Sequence, residues 1–137
     1  MKSDSMVFKN FKRWIPLVVW IAIIFGLSSI PNVSPENVRF PSWTDKFAHF
    51  FEYMVFALLY YRGLSYDRKV RKLLYFLLVL MTGFALAGLD EYYQSFIPGR
   101  DSDVMDILAD LTGVVAGTAI FFTIGERLFK GLGSYEV

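Results

Sequence analysis

Four long apolar runs separated by polar stretches set the pattern of the chain, over about residues 14–30, 47–64, 73–89 and 104–124. The first and third carry no charge, the second holds His49 and Glu52, and the fourth opens on Asp106 and Asp110. Each run approaches the ~20 helical residues needed to cross a ~30 Å hydrocarbon core. Backbone polar groups in lipid must be satisfied within their own segment, so the runs are expected to be helices. With their polar ends included, the predicted helices cover about 14–30, 45–64, 71–94 and 103–126. The expectation is one domain, an all-α, integral membrane four-helix bundle. Pro16 falls in the first turn of the first helix, where a missing N–H costs little. Ser42 followed by Asp45 resembles a capping box opening the second helix. Pro31, Pro35 and Pro41 break the first connection, and Pro98-Gly99 turns the third. A cleaved leader is the competing reading of the first run, which has a basic lead and ends near Ser28 and Ser29. The run is longer than the roughly 7–15 residues of a usual leader core.

Charge orients the helices. Of the 14 Lys and Arg, eleven fall on one side: Lys2, Lys9, Lys12 and Arg13, then Arg62, Arg68, Lys69, Arg71 and Lys72, then Arg127 and Lys130. Arg39, Lys46 and Arg100 fall on the other. Cytoplasmic connections carry the excess of basic residues, which predicts both termini inside. The composition agrees with a membrane setting: 55% hydrophobic residues, a mean hydropathy of +0.41, and 14 Phe, 8 Tyr and 3 Trp. A net charge of +1 without a basic stripe argues against a nucleic-acid partner. The absence of cysteine excludes disulfides, thiolate catalysis and zinc–thiolate sites.

Ionisable residues inside a span are expensive and are therefore functional candidates. On the second helix Asp45, His49, Glu52 and Tyr53 share one face. On the third, Gly83, Ala87, Asp90, Glu91 and Gln94 lie within an arc of about 100°, and on the fourth Asp103, Asp106, Asp110, Gly113 and Gly117 lie within about 80°. Small residues at four-residue spacing let helix backbones approach closely. The simplest assembly packs the small stripes together in the inner half, leaving the polar faces to converge on the outer side. Glu52 and Asp110 each lie about seven residues into their helices, roughly 10 Å along the axis. Each there needs a partner, a proton or a metal. Eight outer acids (Asp45, Glu52, Asp90, Glu91, Asp101, Asp103, Asp106 and Asp110) face Lys46, Arg100 and His49. Asp103 is also placed to cap the fourth helix. Charges at helix ends commonly do no more than mark the interface, which is the plain alternative for Asp45, Lys46 and Asp101. Packing or hydrogen bonding between helices is the corresponding alternative for Tyr53 and Gln94.

In order along the chain, Asp45-Lys46-x-x-His49-x-x-x-Tyr53, Glu91-x-x-Gln94, Pro98-Gly99-Arg100-x-x-Asp103-x-x-Asp106 and the glycines Gly113 and Gly117 resemble the VanZ-like family. The resemblance covers about residues 14–124. One position departs: the family usually shows Asn where this chain has Asp110. The resemblance implies a multi-pass protein of the bacterial cytoplasmic membrane, set in the cell envelope. The founding member is associated with low-level resistance to teicoplanin, a lipoglycopeptide antibiotic.

Three functions fit these residues. The first is binding or modifying a membrane lipid or lipid-linked envelope precursor at the outer leaflet, with Arg100 forking onto a phosphate or carboxylate. Asp45, Lys46, Tyr53, Gln94 and Asp103 would complete that binding site, and Trp43, Phe50, Tyr92 and Phe96 would meet acyl chains. The second is a membrane-embedded hydrolase or phosphotransferase. His49, Glu52, Glu91, Arg100 and Asp106 would be its catalytic groups. Asp103, Asp106 and Asp110 would hold a divalent cation such as Mg²⁺ or Ca²⁺. The third is a non-catalytic, proton-coupled sensor or partner protein. The sequence does not fix an oligomeric state.

Overall fold

The computed structural model describes residues 11–31, 42–65, 72–100 and 102–125. Expectations resting on Lys2, Lys9, Pro35, Arg39, Pro41, Arg68, Lys69, Arg71, Asp101, Arg127 and Lys130, and on residue 126 of the fourth helix, lie outside the described residues. Among the described residues there is no strand. The chain forms α1 (Ile15–Ser28), α2 (Ser42–Ser65), α3 (Lys72–Gln94) and α4 (Val104–Ile120), and α4 runs on into a π-helical turn over Phe121–Gly125. Two segments, Leu73–Gln94 and Val104–Ile124, are long and apolar enough to cross a membrane, with hydropathies of 2.0 and 1.9. α1 is apolar but only 14 residues long. α2 is long enough, at 24 residues, but carries charge in its N-terminal half.

The apolar side chains of the two long spans mostly point away from the protein. Only 28% and 33% of their most apolar windows are buried, and Met81 and Phe84 on α3 are 71% and 59% exposed. The core helix of a soluble protein turns its apolar stripe inward; these helices present theirs to the surroundings.

α2 lies along α4 as its principal neighbour, and the glycines of α4 explain the closeness. A Cβ at Gly113 would fall on the carbonyl oxygen of Phe50, and one at Gly117 on that of Met54. Here the structure differs from the expected packing of one small stripe on the other. Gly113 and Gly117 seat the α2 backbone, whereas Gly83 of α3 faces the Val114 side chain, 2.7 Å from where its Cβ would be. Two glycine stripes in contact would leave no side chains to fill the space between them; pairing each with bulkier neighbours fills it. At the end away from the polar residues, Tyr61 packs on Phe121 with ring centroids 4.6 Å apart and on Tyr75 at 5.9 Å. Trp20 of α1 donates its indole N–H to the Glu52 carbonyl oxygen at 2.8 Å, fixing α1 against α2.

Candidate functional site

Local chemistry at the ends of α3 and α4 places the polar groups. Beyond α3 the chain turns at Ile97–Arg100, where the Arg100 N–H donates to the Ile97 carbonyl at 3.1 Å. Pro98 supplies the first central residue of the turn, and Gly99 the second at φ 76°, a left-handed conformation that favours glycine. Asp103 then caps α4 by accepting from the Met105 N–H at 2.9 Å. Its own N–H donates to Glu91 Oε2 at 2.8 Å, which ties the start of α4 to the end of α3.

Three ionic groupings follow. Lys46 of α2 donates to Asp103 Oδ2 at 2.6 Å and to Asp106 Oδ1 at 2.8 Å. The ammonium, followed by the Met105 N–H, holds the Asp103 carboxyl below the usual aspartate range. One turn deeper, His49 Nδ1 lies 3.0 Å from Asp110 Oδ1, with both side chains buried. Arg100 reaches neutral oxygens: its Nε donates to the Ile30 carbonyl at 3.1 Å, Nη2 to the Leu27 carbonyl at 3.3 Å and Nη1 to Gln94 Oε1 at 3.2 Å. Among the described residues, its guanidinium ion-pairs with Asp45, at 3.8 Å. Gln94 joins the helices by donating Nε2 to Asp90 Oδ2 and to Ser28 Oγ, each at 3.2 Å.

These residues border a cleft of about 260 Å³ lined by Leu27, Ser28, Ile30, Asp45, Ala48, His49, Glu52 and Arg100. The Glu52 side chain is half-buried in its wall, and among the described residues no group hydrogen-bonds its carboxylate. Tyr53 Oη, Asp90 Oδ1, Glu91 Oε1 and Asp110 Oδ2 are buried without a hydrogen-bond partner among the described residues.

The candidates are therefore distributed unevenly. Asp45, His49, Glu52 and Arg100 meet at the cleft; Lys46, Asp103 and Asp106 form an adjoining ion cluster; Tyr53, Glu91, Gln94 and Asp110 sit in the interior. The carboxylates of Asp103, Asp106 and Asp110 are divided between two partners, Lys46 and His49. A different trio, Asp45, His49 and Asp106, brings its ligand atoms within 4.8 Å of one another. Asp90 and Ser28 were not singled out as site residues, yet both join the Gln94 network. Asp90 had a signal, since it precedes Gln94 by one helical turn on the same face. Ser28 had none, being a lone hydroxyl at the end of an apolar run.

A family model described as VanZ/LLP1 matches residues 3–125 of the chain. Comparisons with curated proteins and with solved structures found no match.

Proposed function

Because this chain belongs to the VanZ-like family of membrane proteins, we propose that it is a four-helix bundle of the bacterial cytoplasmic membrane which binds an anionic lipid or lipid-linked envelope component at the outer leaflet. Its termini lie in the cytoplasm, in keeping with eleven of 14 basic residues falling on that side. The observation that carries the reading is the state of Arg100. Lys46 is engaged by two carboxylates and His49 by one, but the guanidinium of Arg100 is held in the cleft wall by two main-chain carbonyls and an amide oxygen. Neutral acceptors orient the fork, the half-exposed Asp45 carboxylate at 3.8 Å lies beyond hydrogen-bond distance, and among the described residues two of its five N–H groups make no hydrogen bond and are open to a ligand. Trp43, Tyr92 and Phe96, all well exposed near the same end, are placed to meet acyl chains. Altered access of a lipid-tailed antibiotic to the envelope would be a consequence of such binding.

The test is binding of short-chain phosphatidylglycerol to the purified full chain. Arg100→Lys keeps a charge but loses the fork, and should weaken binding about tenfold, the equivalent of one charge-assisted hydrogen bond of about 1.5 kcal/mol. Unchanged binding removes Arg100 from the site.

A second reading, a membrane-embedded hydrolase or phosphotransferase, is favoured by the grouping of Asp45, His49 and Asp106 and by the carboxylate of Asp110 on the His49 ring. An aspartate on one ring nitrogen orients a histidine as a base or as a metal ligand. Metal analysis of the purified protein, with turnover of lipid phosphate esters assayed with and without chelator, decides it: no turnover under either condition excludes the enzyme.

A further inference from the structure

We propose that the cleft selects a zwitterion: a ligand whose phosphate or carboxylate is held by Arg100 and whose primary ammonium is held by Glu52. This rests on the reading of Arg100 as the anion anchor and narrows the ligand from any lipid with an anionic group to one whose headgroup also carries a primary ammonium.

The charges of the cleft carry the inference. Its lining holds one guanidinium and two carboxylates, Asp45 and Glu52. The third cationic candidate, His49, has its Nδ1 turned to Asp110. A ligand bearing only negative charge would gain at Arg100 and be repelled at both carboxylates. Glu52 is the sharper constraint. Asp45 is half exposed and has Arg100 at 3.8 Å, whereas the Glu52 carboxylate has no hydrogen-bond partner among the described residues. It also lies two helical turns beyond Asp45, roughly 10 Å deeper along α2. A carboxylate at that depth calls for a cation. A ligand ammonium offers three donors in a small volume, which suits a lone carboxylate.

The lining also says which cation. Among the described residues, no aromatic ring lines the cleft. Quaternary ammonium groups are recognised by aromatic faces, so a trimethylammonium finds neither donor–acceptor contact nor cation–π contact here. A primary ammonium does. Leu27 and Ile30 of the lining are 41% and 55% exposed, an apolar side by which lipid tails would leave toward the bilayer. The shared chemistry, phosphate plus primary ammonium, could come from a lipid headgroup or from a free small zwitterion.

The experiment compares binding of short-chain phosphatidylethanolamine, phosphatidylcholine and phosphatidylglycerol, and of free phosphoethanolamine, to the full chain in detergent. The wild type should bind phosphatidylethanolamine about tenfold more tightly than either other lipid, one charge-assisted contact. Glu52→Gln should abolish that preference, weakening phosphatidylethanolamine binding and strengthening that of phosphatidylglycerol. Arg100→Ala should weaken all the lipids. Free phosphoethanolamine binding as tightly as the lipid identifies a soluble ligand, and much weaker binding identifies a lipid; both support the zwitterion. Equal wild-type affinity for phosphatidylethanolamine and phosphatidylglycerol, or a preference that survives Glu52→Gln, overturns it. That wild-type comparison decides the question even where Glu52→Gln fails to fold. Failure of Arg100→Ala to affect any lipid overturns the anion anchor instead.

Discussion

The contact between α2 and α4 can be tested with one methyl group. At Gly113 an alanine Cβ would overlap the Phe50 carbonyl oxygen and lie 3.0 Å from the Met54 nitrogen and 3.1 Å from the Phe50 carbonyl carbon. All three are backbone atoms, so no side chain can swing aside, and the two helices must part by roughly an ångström to regain ordinary contact. Overpacking of this kind costs about 1–3 kcal/mol. Against it stands the gain of about 0.5–1 kcal/mol when alanine replaces glycine inside a helix. Gly113→Ala should therefore destabilise the protein by about 1–2 kcal/mol. Gly88 on α3 is the internal control: nothing lies within 4 Å of a Cβ there, so Gly88→Ala carries only the gain. Unfolding of the purified protein by SDS in mixed micelles, followed by tryptophan fluorescence, measures both. Trp20, bonded to the Glu52 carbonyl, reports on α1 leaving α2. Equal midpoints for Gly113→Ala and Gly88→Ala would refute the close approach of α4 to the α2 backbone.

Two other perturbations use the same unfolding measurement. His49→Ala strands the buried Asp110 carboxylate and should cost about 3–5 kcal/mol. Asp110→Asn keeps an acceptor for the ring and should cost no more than about 1.5 kcal/mol; equal losses for the two variants would show that the ring and the carboxylate are not a pair. Lys46→Met should shift acid sensitivity. Asp103 has its folded-state carboxyl held low, so its contribution is present above the ordinary aspartate range and disappears only as pH falls through the lowered value. Without Lys46 that loss begins at higher pH, and an unchanged acid unfolding profile would rule out the Lys46–Asp103 contact as the cause.

Helical periodicity made much of this arrangement legible. The shared face of Asp45, His49 and Glu52 follows from residue spacing alone, and all three line one cleft. The capping role of Asp103 was equally readable, since an aspartate three residues before Asp106 at the head of an apolar run has few other uses. What periodicity cannot give is the pairing between faces. The wheel put Asp103, Asp106 and Asp110 on one stripe, and one stripe suggests one ion. A stripe spanning two turns meets different neighbours at each level, here Lys46 above and His49 below. Likewise the small-residue stripes identified helices able to approach closely without naming the partner. The contacts of Arg100 with the Leu27 and Ile30 carbonyls depend on where the end of α1 lies, which no local pattern encodes.

Packing and polar chemistry are coupled in this chain through α4. Gly113 lies three residues from Asp110, and Gly117 extends the same face one turn further. The approach of these glycines to the α2 backbone sets how near the Asp110 carboxylate comes to the His49 ring. A bulkier interface would hold the helices apart, and a short aspartate side chain could no longer reach across. His49 would then have no partner at that depth, and Glu52, one turn along, would face a histidine free to compete with any ligand for its carboxylate. The glycines therefore have a second effect beyond close packing. By committing His49 to Asp110 they leave the cleft with Glu52, which has no hydrogen-bond partner among the described residues, and with Arg100, whose only carboxylate contact among them is the half-exposed Asp45 at 3.8 Å.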